Sequence, residues 1–256
     1  ILRWALDPAR SYSRVPLRAS TSISVDGVAE LDIVARRVAV RRPLTDADVL
    51  DPTTTLSELI QRLAIRPYLF VNGLTGVSQI VTVSDLNRLP VRIYLFALLA
   101  HFEGLLAGLI VEHYPDEGWI AALTEKGRTH VEDLFALKRK DDIDTTRIDC
   151  TTLSQKLRVV AQTAELRRRF GQETKKESAR YLKPVNDLRN RLAHVKGPIE
   201  TGEPDESGVG DDLDAARDGV MHAAPFSKRR NPAWLAGVER QLHVMIGTIA
   251  SPEARR

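Results

Sequence analysis

The chain has one cysteine, Cys150, so no internal disulfide can form, and this usage fits a reducing compartment such as the cytoplasm. It carries no Walker loop, no GxGxxG turn and no CxxC pair, which removes three familiar routes to phosphate cradling, dinucleotide binding and zinc or redox chemistry. His101, His113, His130, His222 and His243 lack metal-ligand spacing with one another, so no metal site is expected. There is no repeat of solenoid period and no heptad run long enough for a coiled coil. Nor is there a large excess of charge of one sign. The formal balance is only +3 over 256 residues, so any statement about partners has to come from where the charges sit.

What is present is ordinary globular material, 43% apolar and 28% charged, in a length that allows one or two domains. One run approaches membrane-spanning length. Ile93 to Val111 is apolar except for His101 and Glu103, with Gly104 and Gly108 at small-xxx-small spacing. The favoured reading is the most buried helix of a bundle, since a mid-span carboxylate is costly in lipid. The alternative is an anchor. No membrane partner is expected.

Residues 1 to about 44 carry two weak strand signals, at Val28 to Val34 and near Val38 to Val40, before Pro43 breaks the chain. From Asp51 the pattern sharpens. Asp51-Pro52-Thr53-Thr54-Thr55 resembles a helix N-terminus, and Leu56, Leu59, Ile60 and Leu63 follow at helical spacing. Tyr68 to Val71 and Val77 to Val83 read as strands around the turn signals Asn72-Gly73 and Gly76, with Ser84 or Asp85 as cap of a short helix. After Pro90 the periodicity is purely helical. Segments are expected at 91–114, 116–140, 151–170, 173–195 and 231–250, with a Gly-rich acidic loop at 197–219. This gives an α+β chain: a small N-terminal α/β module over 1–90, clearest at 45–90, and an all-α bundle over 91–256.

Charge is sorted along that bundle. Lys156 to Lys196 holds twelve basic and four acidic residues, a net of +8, while Glu200 to Asp218 holds eight acidic and one basic, a net of −7. A basic helical pair suits phosphate. An acidic loop beside it suits a competitor for the same face.

The most informative stretch lies on the basic side: Asn186-Asp187-Leu188-Arg189-Asn190-Arg191-Leu192-Ala193-His194. Arginine is always charged and reads phosphate in a fork geometry. Histidine moves protons near neutral pH. On a helical wheel Tyr181, Val185, Leu188, Leu192 and Val195 form the core stripe. Arg189 sits at its edge with Asn186 and Asn190 on that flank, and His194 lies nearly opposite the core. Arg189 and His194 are about 140° apart at 3.6 residues per turn. They converge only through the long Arg side chain, a loosened last turn or a second copy of the helix from a partner, which is favoured. An inert exposed histidine remains the other reading of the spacing.

Leu188 to His194 resembles the motif of the HEPN family of helical ribonucleases, Arg followed by four to six residues and His, with a polar residue after the Arg. Arg189, Asn190 and His194 match, and the resemblance covers about 91–250. It implies a homodimer with two motifs in one cleft and metal-independent cleavage of RNA through its own 2′-OH. No cofactor is needed for catalysis. The ribose 2′-OH attacks phosphorus, His194 moves the proton, Arg189 stabilises phosphoryl charge and Asn190 orients the phosphate or the histidine. A 2′,3′-cyclic phosphate results, and DNA is not a substrate. Arg167, Arg168, Arg169, Lys175, Lys176 and Arg191 are candidates for contacting the RNA backbone.

Residues 45–90 resemble one repeat of the CBS family of nucleotide-sensing modules. The matching runs are Asp51 to Leu56, Tyr68 to Val71 and Gln79 to Leu86. Thr82 and Asp85 match positions that contact the ribose and phosphate of an adenine nucleotide, so an adenine-nucleotide effector is implied. Gln79 stands at a usual glycine, and only one repeat is clear, so pairing across a dimer is expected. The combined expectation is a nucleotide-gated ribonuclease suited to stress or phage defence. The alternative is a non-catalytic dimeric regulator that acts through partner proteins, with Asp85 only a helix cap.

Overall fold

The structure, a computed structural model, describes residues 14–17, 25, 27–32, 37–74, 76–193 and 231–251. The chain is mixed α+β and divides into two compact units, 1–86 and 87–256.

The first unit holds two three-stranded sheets. In one, β1 (Arg14–Leu17), β2 (Gly27–Asp32) and β3 (Arg37–Pro43) form an antiparallel meander, with a register shift between Glu30 and Leu31. In the other, β4 (Val49–Leu50) runs parallel to β5 (Tyr68–Gly73), which pairs antiparallel with β6 (Gly76–Thr82). A parallel neighbour needs a crossover, and α1 (Leu56–Ile65) supplies it. Thr55 starts that helix by accepting from the Glu58 N–H at 3.2 Å, and Ile60 and Leu63 are its buried face. Gly73 faces Gly76 across the β5–β6 turn, where Gly76 takes φ +104°, a conformation that costs a glycine little. Val28 of β2 packs with Tyr68 and Phe70 of β5, so the two sheets share one core.

That core is pinned by charge. Asp48, 1% exposed, accepts two bonds from the Arg42 guanidinium at 2.6 and 2.8 Å, a third from Arg66, and two more from Thr45 N and Oγ1 at 3.0 and 2.7 Å. Arg42 also donates to Tyr68 Oη at 3.1 Å. The Arg42 bonds hold the Asp48 carboxyl well below the ordinary carboxylate range, and the same bonds push the Arg42 guanidinium up.

In the second unit the described helices are α2 (Leu89–His113), α3 (Glu125–Lys140), α4 (Leu153–Gln162), α5 (Ala164–Arg169), α6 (Lys175–Ala193) and α7 (Pro232–Ala250). The expected segment 116–140 is two pieces. A 3-10 turn covers Gly118–Ala122, and Thr124 then caps α3 by accepting from Gly127 N. The expected segment 151–170 also breaks. Thr163 is extended at φ −90° and ψ 119°, and its hydroxyl donates back to the Val159 carbonyl at 2.9 Å, ending α4 and opening α5.

Helix α2 is long and apolar enough to cross a membrane by length and composition, with 33% of its most apolar stretch buried. Expected as the bundle's most buried helix, it is buried on one face only, through Leu95, Leu99, Phe102, Leu106 and Ile110. Its opposite face carries exposed Ile93 (59%) and Phe96 (62%). The carboxylate of Glu103 points to the bundle, where the buried Lys156 ammonium donates to it at 2.9 Å and to the Thr151 carbonyl at 2.9 Å. A charge satisfied in this way belongs to a helix-packing face.

Candidate functional site

Helix α6 carries Arg189 and Asn190, the first two residues of the Arg-x4-His run. It begins after Gly171, whose φ of +68° closes α5. Thr174 and Glu177 then cap each other: Thr174 N donates to Glu177 Oε2 at 3.0 Å, and Glu177 N donates to Thr174 Oγ1 at 3.1 Å. The first of these bonds holds the Glu177 carboxyl below its ordinary range. Leu182, Val185, Leu188 and Leu192 form the buried stripe against α4. Leu182 takes the place expected for Tyr181, which is half-buried and whose phenol is pushed up by that burial.

Arg189 is half-buried and Asn190 exposed, on the flank where the wheel puts them. Among the described residues the one hydrogen bond of the Arg189 guanidinium is a long 3.5 Å contact to Asn190 Oδ1. The group therefore keeps most of its donors for an incoming acceptor. His194, the acidic loop 197–219 and Val195 lie outside the described residues. Arg191 corrects the expectation for it. It is 7% exposed, about 160° round α6 from Arg189 at 3.6 residues per turn, and a buried guanidinium cannot contact an RNA backbone at the surface.

The other expected phosphate contacts divide into two groups. Arg167 is partly committed to main-chain carbonyls, donating to Glu173 O at 3.0 Å and Gln162 O at 3.4 Å. Arg168 pairs with Glu173 at 3.5 Å while remaining largely exposed, and Arg169 is half-buried. Lys175 and Lys176 are exposed at the start of α6.

Between α4 and α6 lies a groove of about 290 Å³, lined among others by Leu157, Arg158, Gln162, Lys175, Leu182, Lys183 and Asn186. Its described residues include three cations and no carboxylate. Of these, Lys175 was read from sequence as a phosphate contact and Asn186 as a flank residue. Arg158 and Lys183 were missed as site residues, because only the tertiary packing of two helices brings them together.

In the first unit, Asp85 Oδ2 accepts from Thr82 N at 2.7 Å and from Thr82 Oγ1 at 2.9 Å. Thr45 and Asp48 make the same pair of bonds, and so do Thr146 and Asp149 at 2.9 and 2.6 Å. Thr-x-x-Asp is thus a recurrent cap of 3-10 turns in this chain, here the turn Val83–Asn87. The Thr82–Asp85 contact is accounted for by capping, whatever else the carboxylate does.

A polar cluster between α2 and α7 was missed. Tyr94 Oη donates to Glu239 Oε1 at 2.7 Å, and His243 Nε2 lies 3.0 Å from that oxygen and 3.1 Å from Tyr94 Oη. Glu239 is 1% exposed. The Glu239 and His243 spacing of i, i+4 was the available signal, but Tyr94, 145 residues away from Glu239, left none.

Comparison with known protein families, curated proteins and solved structures finds no match to this chain.

Proposed function

We propose that the chain is a metal-independent endoribonuclease in which Arg189, Asn190 and His194 act on the RNA linkage, with the N-terminal module as a nucleotide-responsive regulator. The observation that carries this reading is the state of Arg189: a half-buried guanidinium on a basic helix whose one hydrogen bond among the described residues is the 3.5 Å contact to Asn190. Partial burial strengthens its attraction to a phosphate, and its unspent N–H groups match two phosphoryl oxygens.

In the reaction the 2′-OH loses its proton as its oxygen bonds to phosphorus, and the bond to the 5′-oxygen breaks. His194 takes the first proton or supplies the one the leaving 5′-oxygen gains. Arg189 bears the charge that builds on the non-bridging oxygens. Asn190, next along the helix, orients the phosphate. The products are a 2′,3′-cyclic phosphate and a 5′-hydroxyl.

The site is composite in this proposal, built by two chains, because the wheel separates Arg189 from His194 on one helix. Exposed Leu89, Ile93, Phe96 and Val111 on one side of α2 give a second copy an apolar face to cover. The regulator is a single CBS-like repeat per chain, which pairs in the same dimer and binds an adenine nucleotide at Thr82 and Asp85.

Incubation of labelled single-stranded RNA with the purified chain in excess EDTA tests this. Wild type cuts RNA and leaves the 2′-deoxy analogue intact, and Arg189→Ala and His194→Ala each lose at least a hundredfold in rate. Equal residual cleavage by all three proteins, or cleavage of the deoxy strand, rejects the assignment.

A further inference from the structure

We propose that the groove between α4 and α6 seats one nucleotide of the RNA beside the scissile linkage and selects its base. This rests on the ribonuclease reading and names the part of the substrate that confers specificity.

The chemistry of the groove is two-sided. Its floor is apolar, with buried Leu157 from α4 and buried Leu182 from α6, and such a surface receives the flat face of a base. Its rim is cationic. The Arg158 Nε donates to the Ala122 carbonyl at 3.0 Å, which orients the guanidinium without using its two terminal nitrogens. Lys183 is 69% exposed and touches Asp187 only at 3.5 Å. Lys175 completes the rim, and among the described residues no acidic side chain lines the groove to oppose an anion. The volume of about 290 Å³ sits at the small end of ligand sites, roughly 300–1,000 Å³, and suits one nucleotide.

The reading of the base is carried by Asn186. Asn186 lines the groove, and among the described residues its Oδ1 is buried with no hydrogen-bond partner. A buried acceptor left unpaired is costly, and a turn of the amide toward the groove would pair it with an N–H on the edge of a base. Gln162, also lining the groove, offers a second amide. The depression on α3 makes the contrast: Glu125, Thr129, His130 and Asp133 surround its one lysine, Lys126, with no apolar floor.

Position along α6 links the groove to the reaction. Lys183, Asn186 and Asn190 follow at intervals of three and four residues and so share a face. Asn186 is four residues before Asn190, about 6 Å along the axis. A base held at Asn186 therefore leads its phosphate toward Arg189 and Asn190.

The test uses the full chain and 2′-O-methyl hexanucleotides of A, C, G or U, which bind but cannot be cut, with dissociation constants from fluorescence anisotropy. Wild type favours one base by tenfold or more. Lys183→Glu weakens all four at least fivefold, and Asn186→Leu reduces the preference below threefold. Circular dichroism checks that both variants are folded, and Lys183→Glu, at an exposed position, keeps the test open if Asn186→Leu does not fold. Wild-type affinities and preference in the folded variants overturn the proposal. Cleavage in EDTA is measured beside binding. Cleavage with no effect of the variants removes the groove and leaves the nuclease; base-selective binding without cleavage removes the nuclease alone. Free AMP, CMP, GMP or UMP binding in the groove while the hexamers do not bind would make it a site for a free nucleotide and overturn the RNA assignment.

Discussion

Replacing Asp48 by Asn removes one charge from the most heavily bonded carboxylate described in the chain and leaves its shape. The acid accepts five bonds, three of them from guanidinium groups. Charge-assisted bonds contribute about 1.5–3 kcal/mol each and neutral ones about 0.5–1.5 kcal/mol. The amide keeps one acceptor oxygen. Arg42 and Arg66 are 31% and 38% exposed, so they recover hydration, which discounts the loss. The net cost is about 2–4 kcal/mol, which speeds hydrogen exchange at the amides of β3 and β5 by roughly 30- to 700-fold at one decade per 1.4 kcal/mol. The pH dependence has a definite sign. Because Arg42 lowers the folded-state value of Asp48, the stabilisation is complete above the unfolded value of about 3.9 and fades as pH falls below it. Wild type and variant therefore differ fully at pH 6 and converge as pH drops below about 4. Exchange mass spectrometry at both pH values measures this. An unchanged β5 at pH 6, or a difference that grows in acid, refutes the electrostatic account.

Three more outcomes follow from particular contacts. Tyr94→Phe takes one donor from buried Glu239 and costs about 1–3 kcal/mol in urea unfolding; no change would mean that the hydroxyl bond is not stabilising. Phe96→Asp puts a charge on the exposed face of α2 and yields monomers in sedimentation velocity under conditions where wild type dimerises, while a dimer of unchanged affinity removes that face from the interface. Titration calorimetry with AMP, ADP and ATP gives binding by wild type and at least tenfold weaker binding by Asp85→Ala, and no heat with any of them would reduce Asp85 to its cap.

The legible parts of the fold were those with strong local period or punctuation. Leu56, Ile60 and Leu63 repeat at helical spacing, and Thr55 caps them where expected. Pro115 and Pro232 bracket helices near their observed ends, and the glycines at 73 and 76 mark the hairpin. Thr163 defeated the period because a threonine hydroxyl can bond back to its own helix and end it, while the apolar residues on both sides keep helical spacing. β1 was not read, since Arg14 to Leu17 becomes a strand only by pairing with β2. Arg191 was misread because it was grouped with the other basic residues of the run without being placed on the wheel, and its position on α6 is buried. The Asp48 cluster joins its near neighbours Arg42 and Thr45 to Arg66 and Tyr68, and the α4–α6 groove joins Arg158 to Lys183, pairings that no short window contains.

The central claim is that Arg189 and His194 drive attack by the RNA's own hydroxyl without a metal. Mass spectrometry of the ends produced from a short RNA in EDTA tests it most directly. The account predicts 2′,3′-cyclic phosphate and 5′-hydroxyl ends, formed by wild type and not by His194→Ala, with no cut at a linkage whose 5′-side ribose is 2′-deoxy. Intact RNA with a folded dimer, or ends bearing a 5′-phosphate, would contradict it.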